Sequence, residues 1–214
     1  LLTLLRAARA ISVEHEPAGL LRQVMSLCLK YAGAHSGFLI LARRDELIVK
    51  ARGTLKEEAQ VEVISELLAD QEGLATGIVH YVARTEEPVV LEHAAEEGPF
   101  KNDPYIRRSA CKSVLCLPII YQGVLVALAY MENNNTVGAF DAERLEILRL
   151  LLAQAAVSIE NSLLRNLNQD AEFHYSVGGS LAANTPSYVV RQADRTLIET
   201  IRQGELCYVF NARQ

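Results

Sequence analysis

Apolar residues recur along this chain with two different periods, and the switches between them divide it into helices and strands. Leu1, Leu4, Leu5, Ala8 and Ile11 share one side of a first helical stretch over residues 1–12. After Pro17, Leu20, Leu21, Val24, Leu27, Cys28 and Tyr31 share one side of a second, so the two helices pair naturally. Residues 36–41 and 46–51 read as strands around a charged turn, and residues 60–64 as a third, because Val61 and Val63 alternate with polar neighbours. Residues 74–84 look helical with Ile78 and Val82 inward, and residues 88–91 form a short strand. Within residues 100–109, Asp103 suits a helix cap and Pro104 the first helical position, so a short helix follows them.

The pattern is sharpest over residues 112–162. Two runs rich in Val, Leu and Ile are broken by Gln122-Gly123, which reads as a tight hairpin with Gly123 supplying a positive φ. Asn133-Asn134-Asn135 ends the second strand, Asp141 caps a long helix, and Leu145, Leu148, Leu152, Ala155, Ile159 and Leu163 make one face of it apolar. The words Lys112-Ser113-Val114-Leu115-Cys116-Leu117-Pro118-Ile119, Tyr130-Met131-Glu132-Asn133-Asn134, Gly138-Ala139-Phe140 and Gln154-Ala155-Ala156-Val157-Ser158-Ile159-Glu160-Asn161 resemble the second half of a GAF domain. GAF domains are sensory modules of bacterial signalling proteins and of cyclic-nucleotide phosphodiesterases.

The resemblance covers residues 1–165 and implies an α+β fold of GAF type, PAS-like. An antiparallel sheet carries the terminal helices on one face and a small-molecule pocket on the other. It places the pocket between the sheet and two variable helices, which map to residues 74–84 and 100–109. Phe38, Leu115 and Ala129 are then floor candidates, Ile78, Val82, Phe100 and Ile106 apolar wall, and Asn102, Asp103, Tyr105 and Arg107 polar contacts to a ligand. Against this stands a structural reading, favoured for any one of these residues taken singly: Phe38, Phe100 and Ile106 fill a closed core, and Asn102 and Asp103 only cap a helix.

Composition narrows the function classes. Half of the 214 residues are hydrophobic, enough for a real core. Twenty-one basic residues against 26 acidic ones give a net charge of −5, with no basic block to track phosphates, so nucleic acid is not an expected partner. Cys28, Cys111, Cys116 and Cys207 form no Cys-x-x-Cys and have no His at zinc spacing, which argues against a metal site or a disulfide framework and for a reducing, cytoplasmic setting. The longest apolar run, residues 145–159, is interrupted by Glu146, Arg149 and Gln154, so no membrane span is expected. Arg6 and Arg9 interrupt the Leu-rich start, which reads as a helix and not as a signal peptide.

The known chemistries of the resembled family find little purchase here. Of the residue set carried by cyclic-nucleotide GAF domains this chain keeps Asn133 and Phe140. Asn134 replaces the Lys, and Arg144-Leu145 stands at the Asp-Glu spacing, so cyclic GMP is unsupported. A bilin-attaching Cys would fall near Lys101-Asn102-Asp103. Cys111 lies two to three helical turns later with no His after it, so no covalent bilin is expected. His80 and His93 carry no further ligand logic for haem. Cys111 and Cys116 invite comparison with the sulfoxide-reducing branch of the fold, but Cys116 sits inside a strand and that branch's His-Ile-Ala-Cys wording is missing. No Ser, His and Asp set or carboxylate pair stands out, so the expectation is a non-enzymatic sensor with an unidentified ligand and no assigned cofactor.

Residues 166–173 interrupt the apolar periodicity and read as a linker. Beyond it, the words VGGSL, PSYVVRQAD and GELCYVFNARQ in residues 174–214 resemble the opening of an AAA-like P-loop ATPase domain, whose phosphate-binding Gly, Lys and Ser would come next. This unit is expected neither to bind ATP nor to fold alone, and its strand at residues 206–210 should dock, pair with an edge or fray. Both chain ends read as lying inside a longer protein. The helices at residues 1–12 and 142–167 are expected to pair across a homodimer, as a small-molecule sensor signalling through its ends would do. The alternative is a non-binding module that dimerises or spaces its neighbours.

Overall fold

In the computed structural model, Pro17–Ala32 (α1) leads into Ser36–Arg43 (β1), Glu46–Leu55 (β2) and Ala59–Leu67 (β3). A single 3-10 turn, Leu68–Asp70, precedes Thr76–Thr85 (α2), Val89–Leu91 (β4) and Pro104–Ser109 (α3). The hairpin Ser113–Tyr121 (β5) and Val124–Asn133 (β6) and the long helix Ala142–Asp170 (α4) complete the order. The structure describes residues 9, 11, 16–43, 46–96, 98–109 and 111–170, with side chains up to Asn161. The chain divides into Leu1–Asn166 and Leu167–Gln214. Most of the expected first helix and the whole ATPase-like segment lie outside the described residues, and the helical backbone of α4 continues to Asp170, into the expected linker.

The six strands form one antiparallel sheet in the order β3-β2-β1-β6-β5-β4. This is the expected α+β arrangement, and its two faces bury two separate clusters. Leu20, Val24, Met25, Cys28 and Leu29 of α1, with Leu148, Leu151, Leu152, Ala155, Ala156 and Ile159 of α4, cover Leu39, Leu41, Leu115, Leu117, Ala129 and Met131. Leu74, Ile78, Val79 and Val82 in and before α2, with Ile106 of α3, cover Phe38, Ile40, Val114, Cys116, Leu128 and Tyr130. Alternation along each strand sends successive residues to opposite clusters.

The helix ends follow from local chemistry. Pro17 opens α1, and Gly33, at φ 64°, closes it by donating its N–H back into the last turn. Asp103 Oδ1 accepts the Tyr105 N–H at 2.9 Å, capping α3, and Asp141 Oδ1 does the same for Arg144 at 2.9 Å, capping α4. In the β5–β6 turn both Gln122 and Gly123 have positive φ, 50° and 77°, the primed geometry that matches strand twist. Two boundaries differ from the sequence reading. Helix α2 starts at Thr76 and not at Leu74: Ala75 is its extended N-cap, with ψ at 91°, and donates its N–H to the Tyr130 hydroxyl at 3.1 Å. Strand β3 runs to Leu67, beyond residue 64, because its pairing with β2 continues through an irregularity between Val49 and Ala51.

Leu148 and Leu152 belong to the apolar face of the long helix, which is expected from sequence to pair across a homodimer. They are 0% and 3% exposed under their own sheet, so the strongest apolar periodicity of α4 is spent on the monomer core.

Candidate functional site

The sheet register builds the site. On the face shared with α2 and α3, Gln60 of β3 lies opposite Thr54 of β2, Thr54 opposite Ser36 of β1, and Ser36 opposite Glu132 of β6. The next row runs Glu62, Arg52, Phe38, Tyr130 in the same strand order. Ser36, Phe38, Arg52, Thr54, Gln60 and Glu62, with Gly73 and Tyr105, line an open cavity of about 520 Å3. The Arg52 guanidinium holds the Glu62 carboxylate at 2.7 Å along its exposed side.

Tyr105 joins this lining to a buried carboxylate. The Tyr105 hydroxyl donates to Glu132 Oε2 at 2.9 Å, and the Tyr130 hydroxyl donates to Oε1 at 2.6 Å while accepting the Ala75 N–H. Glu132 is only 1% exposed. Burial pushes its carboxyl above the usual range, and the two phenol hydrogen bonds oppose that rise. Burial and the neighbouring Glu132 in turn raise both Tyr105 and Tyr130, so both phenols stay protonated donors. One carboxylate thus ties together β6, the start of α2 and α3.

The predicted residues separate into three groups. Phe38, Ile78, Val82 and Ile106 come together in the α2/α3 cluster, with Phe100 and Tyr105 packed against it; Phe38 and Tyr105 reach the cavity itself. Phe100 meets the Tyr81 ring edge-on, with centroids 5.6 Å apart. Asp103 is a cap, and Asn102 and Arg107 are exposed and do not line the cavity. Leu115 and Ala129 lie on the opposite face, among the terminal helices, and so are not floor residues. Both faces of β5 and β6 are apolar, so the phase of the alternation is not visible in the sequence. Glu132, Tyr130, Ser36 and the Arg52–Glu62 pair were missed. The available signal was Glu132 itself, a carboxylate at the end of an otherwise apolar strand.

Burial of the three described thiols disfavours the reactive thiolate. Cys28, Cys111 and Cys116 are free and buried; burial pushes Cys28 up to about 12 and, with help from Glu132, Cys111 up to about 12, and it raises Cys116 as well. His80 is exposed, and His93 Nε2 lies 3.7 Å from a Glu96 carboxylate oxygen. Among the described residues no three His, Cys, Asp or Glu side chains gather as a metal site, and no helix is long and apolar enough to cross a membrane. A second concavity of about 780 Å3, lined by Ala42, Leu47, His80 and Val124, contains none of the predicted residues.

Comparison with known proteins agrees with this architecture. The chain is 42% identical over 91 residues to hybrid signal transduction histidine kinase G of Dictyostelium discoideum; the match takes in 42% of this chain and 3% of that protein's length. Among solved structures, the GAF domain from an Acinetobacter phosphoenolpyruvate-protein phosphotransferase superposes with a TM-score of 0.59 at 20% identity, covering 76% of this chain and 93% of that one. A far-red absorbing protein in its dark state with bound biliverdin IXa superposes with a TM-score of 0.57 at 11% identity, covering 75% and 98%. At these identities the structural likeness shows the fold alone. Residues 14–160 match the family model described as GAF domain, so with its six-stranded sheet between terminal helices and a cavity-bearing face, the chain belongs to the GAF domain family of regulatory sensory modules.

Proposed function

We propose that this GAF domain is the sensory module of a larger bacterial signal-transduction protein and that it binds a small molecule in the cavity between β1–β3 and Tyr105. The supporting observation is the cavity's build: polar side chains from three strands line about 520 Å3 together with Phe38, and another lining residue, Tyr105, is hydrogen-bonded to a buried carboxylate. Ligand-dependent movement of Tyr105 would reach Glu132 on β6, whose opposite face carries α4, the helix that leaves the domain. The histidine kinase relative supports a signalling context, and the biliverdin-bound neighbour shows that this fold can hold a small molecule.

A thermal-shift screen with a chemically diverse set tests the reading, because a ligand held only by the native state must raise the melting temperature. Compounds are expected to raise it in the wild type and to lose that effect in Thr54→Phe, which fills the cavity from an exposed position. Shifts that persist in Thr54→Phe, or none at all, would overturn it.

A second reading, a non-binding module that dimerises or spaces its neighbours, draws on the outer side of α4. There Leu150 is 55% exposed and Val157 is half-buried, two apolar positions outside the core cluster beneath the helix. A homodimer through the terminal helices would cover them. The ATPase-like opening at residues 174–214 remains part of the proposal, resting on its wording alone.

A further inference from the structure

The buried carboxylate bonded to Tyr105 ties elements of the fold together without a counter-ion of its own. Glu132 is 1% exposed, and none of the ion pairs among the described residues involves it. Its two oxygens are met by two neutral phenols, one O–H on each. A carboxylate offers about four lone-pair positions, and two neutral phenols leave its charge without a counter-ion. Leaving a buried anion with neutral partners alone is a costly arrangement for a purely structural tie, because a well-packed apolar residue would hold the same elements together more cheaply.

Position gives this carboxylate a direction. It ends the cross-strand row Gln60, Thr54, Ser36, Glu132, of which the first three line the cavity. Strands stand about 4.8 Å apart, so the row spans roughly 14 Å, the length of a small elongated molecule. The Tyr105 side chain links the cavity to Glu132, since it both lines the one and donates to the other. Tyr105 belongs to a six-residue helix and is half-buried, so turning its side chain aside disturbs one short element and leaves the sheet intact. Glu62, the other carboxylate of the cavity, is exposed and already paired with Arg52, which makes it the weaker attraction for a cation.

We propose that the site takes an organic cation, an amine or amidinium, whose protonated nitrogen displaces the Tyr105 hydroxyl and donates to Glu132, while its apolar body lies over Phe38 along the Ser36–Thr54–Gln60 row. The Tyr105 hydroxyl stands in the place of that nitrogen. Binding exchanges a hydrogen bond from a neutral donor for an ion pair and frees α3 from β6. This inference rests on the sensory reading of the same cavity and specifies its ligand chemistry.

The test uses the whole chain and two probes of nearly equal shape, p-aminobenzamidine, which is cationic, and p-aminobenzamide, which is neutral. Binding is followed by the fluorescence of the former and by calorimetry for both. The wild type is expected to bind the amidine at least tenfold more tightly than the amide. Glu132→Gln should abolish that preference, and Tyr105→Phe, which removes the internal competitor and keeps the ring, should tighten amidine binding severalfold. Circular dichroism checks that Glu132→Gln is folded; if it is not, Tyr105→Phe decides, and unchanged amidine affinity there overturns the proposal. Equal binding of the two probes by the wild type would also overturn it while leaving the cavity a ligand site. If neither probe binds but other compounds give shifts abolished by Thr54→Phe, the cation reading alone falls; if nothing binds at all, both readings fall.

Discussion

The side-chain amide of Asn133 donates to the main-chain oxygen of Gly33 at 2.8 Å, joining residues one hundred positions apart. Its carbonyl oxygen accepts the N–H groups of Asn135 and Thr136, each at 2.9 Å, so one side chain both turns the chain after β6 and fastens the end of α1. Asn133→Ala removes all three bonds at a position only 6% exposed. It should lower the unfolding free energy by roughly 2–4 kcal/mol, read from urea denaturation. A loss within about 0.5 kcal/mol, the ordinary surface range, would show the junction to be dispensable.

Glu132 should give the domain a pH dependence of unusual sign. Burial raises its carboxyl in the folded state, outweighing the Tyr130 and Tyr105 hydrogen bonds, so the folded protein holds this proton more tightly than the unfolded chain does. The resulting stabilisation is complete below the ordinary carboxylate value of about 4.3 and is lost as pH rises through the raised value. The stability of the wild type relative to Glu132→Gln should therefore fall as pH is increased above that ordinary value. Denaturation curves for both proteins across the range provide the check, and a constant difference would contradict the buried carboxyl.

Two leucines two positions apart on α4 should behave oppositely. Leu148 is fully buried under the sheet, and a charge there should cost about 3–5 kcal/mol or prevent folding. Leu150 is 55% exposed, so Leu150→Glu should leave the melting temperature nearly unchanged. If the outer face of α4 is a homodimer seam, the same substitution shifts the protein to monomer in light scattering. A wild type that is already monomeric at high concentration removes the seam.

Gly123 and Gly33 separate backbone strain from crowding. A Cβ at Gly123 meets nothing within 4 Å, so Gly123→Ala should cost only the conformational penalty of a positive φ, about 1 kcal/mol. A Cβ at Gly33 would run into the Arg144 guanidinium, which donates to Ala32 O and Ala139 O at 3.0 Å each. Gly33→Ala should therefore be clearly the more damaging of the two in thermal melts.

Cyclic GMP should bind weakly or not at all. Arg144, at the position expected of the acidic pair in cyclic-nucleotide GAF domains, is committed to joining α1 and α4, and Asn133 to the Gly33 junction. Calorimetry decides this, and micromolar or tighter binding would show these residues to be irrelevant to nucleotide recognition.

What the sequence determined by itself was the set of elements and their order. The QG turn between two apolar runs, the Asp caps at 103 and 141 and the three-and-four spacing of Leu148, Leu152, Ala155 and Ile159 each have a local physical cause, and each is realised in the structure. The facing of the central strands was not legible. Leu115 and Ala129 are no more apolar than Val114 and Leu128, and only tertiary packing decides which set meets the terminal helices and which meets α2 and α3. The site was hidden for the same reason. Gln60, Thr54, Ser36 and Glu132 are spread along most of the domain and become one row only through the pairing of four strands, a non-local register that no local pattern encodes.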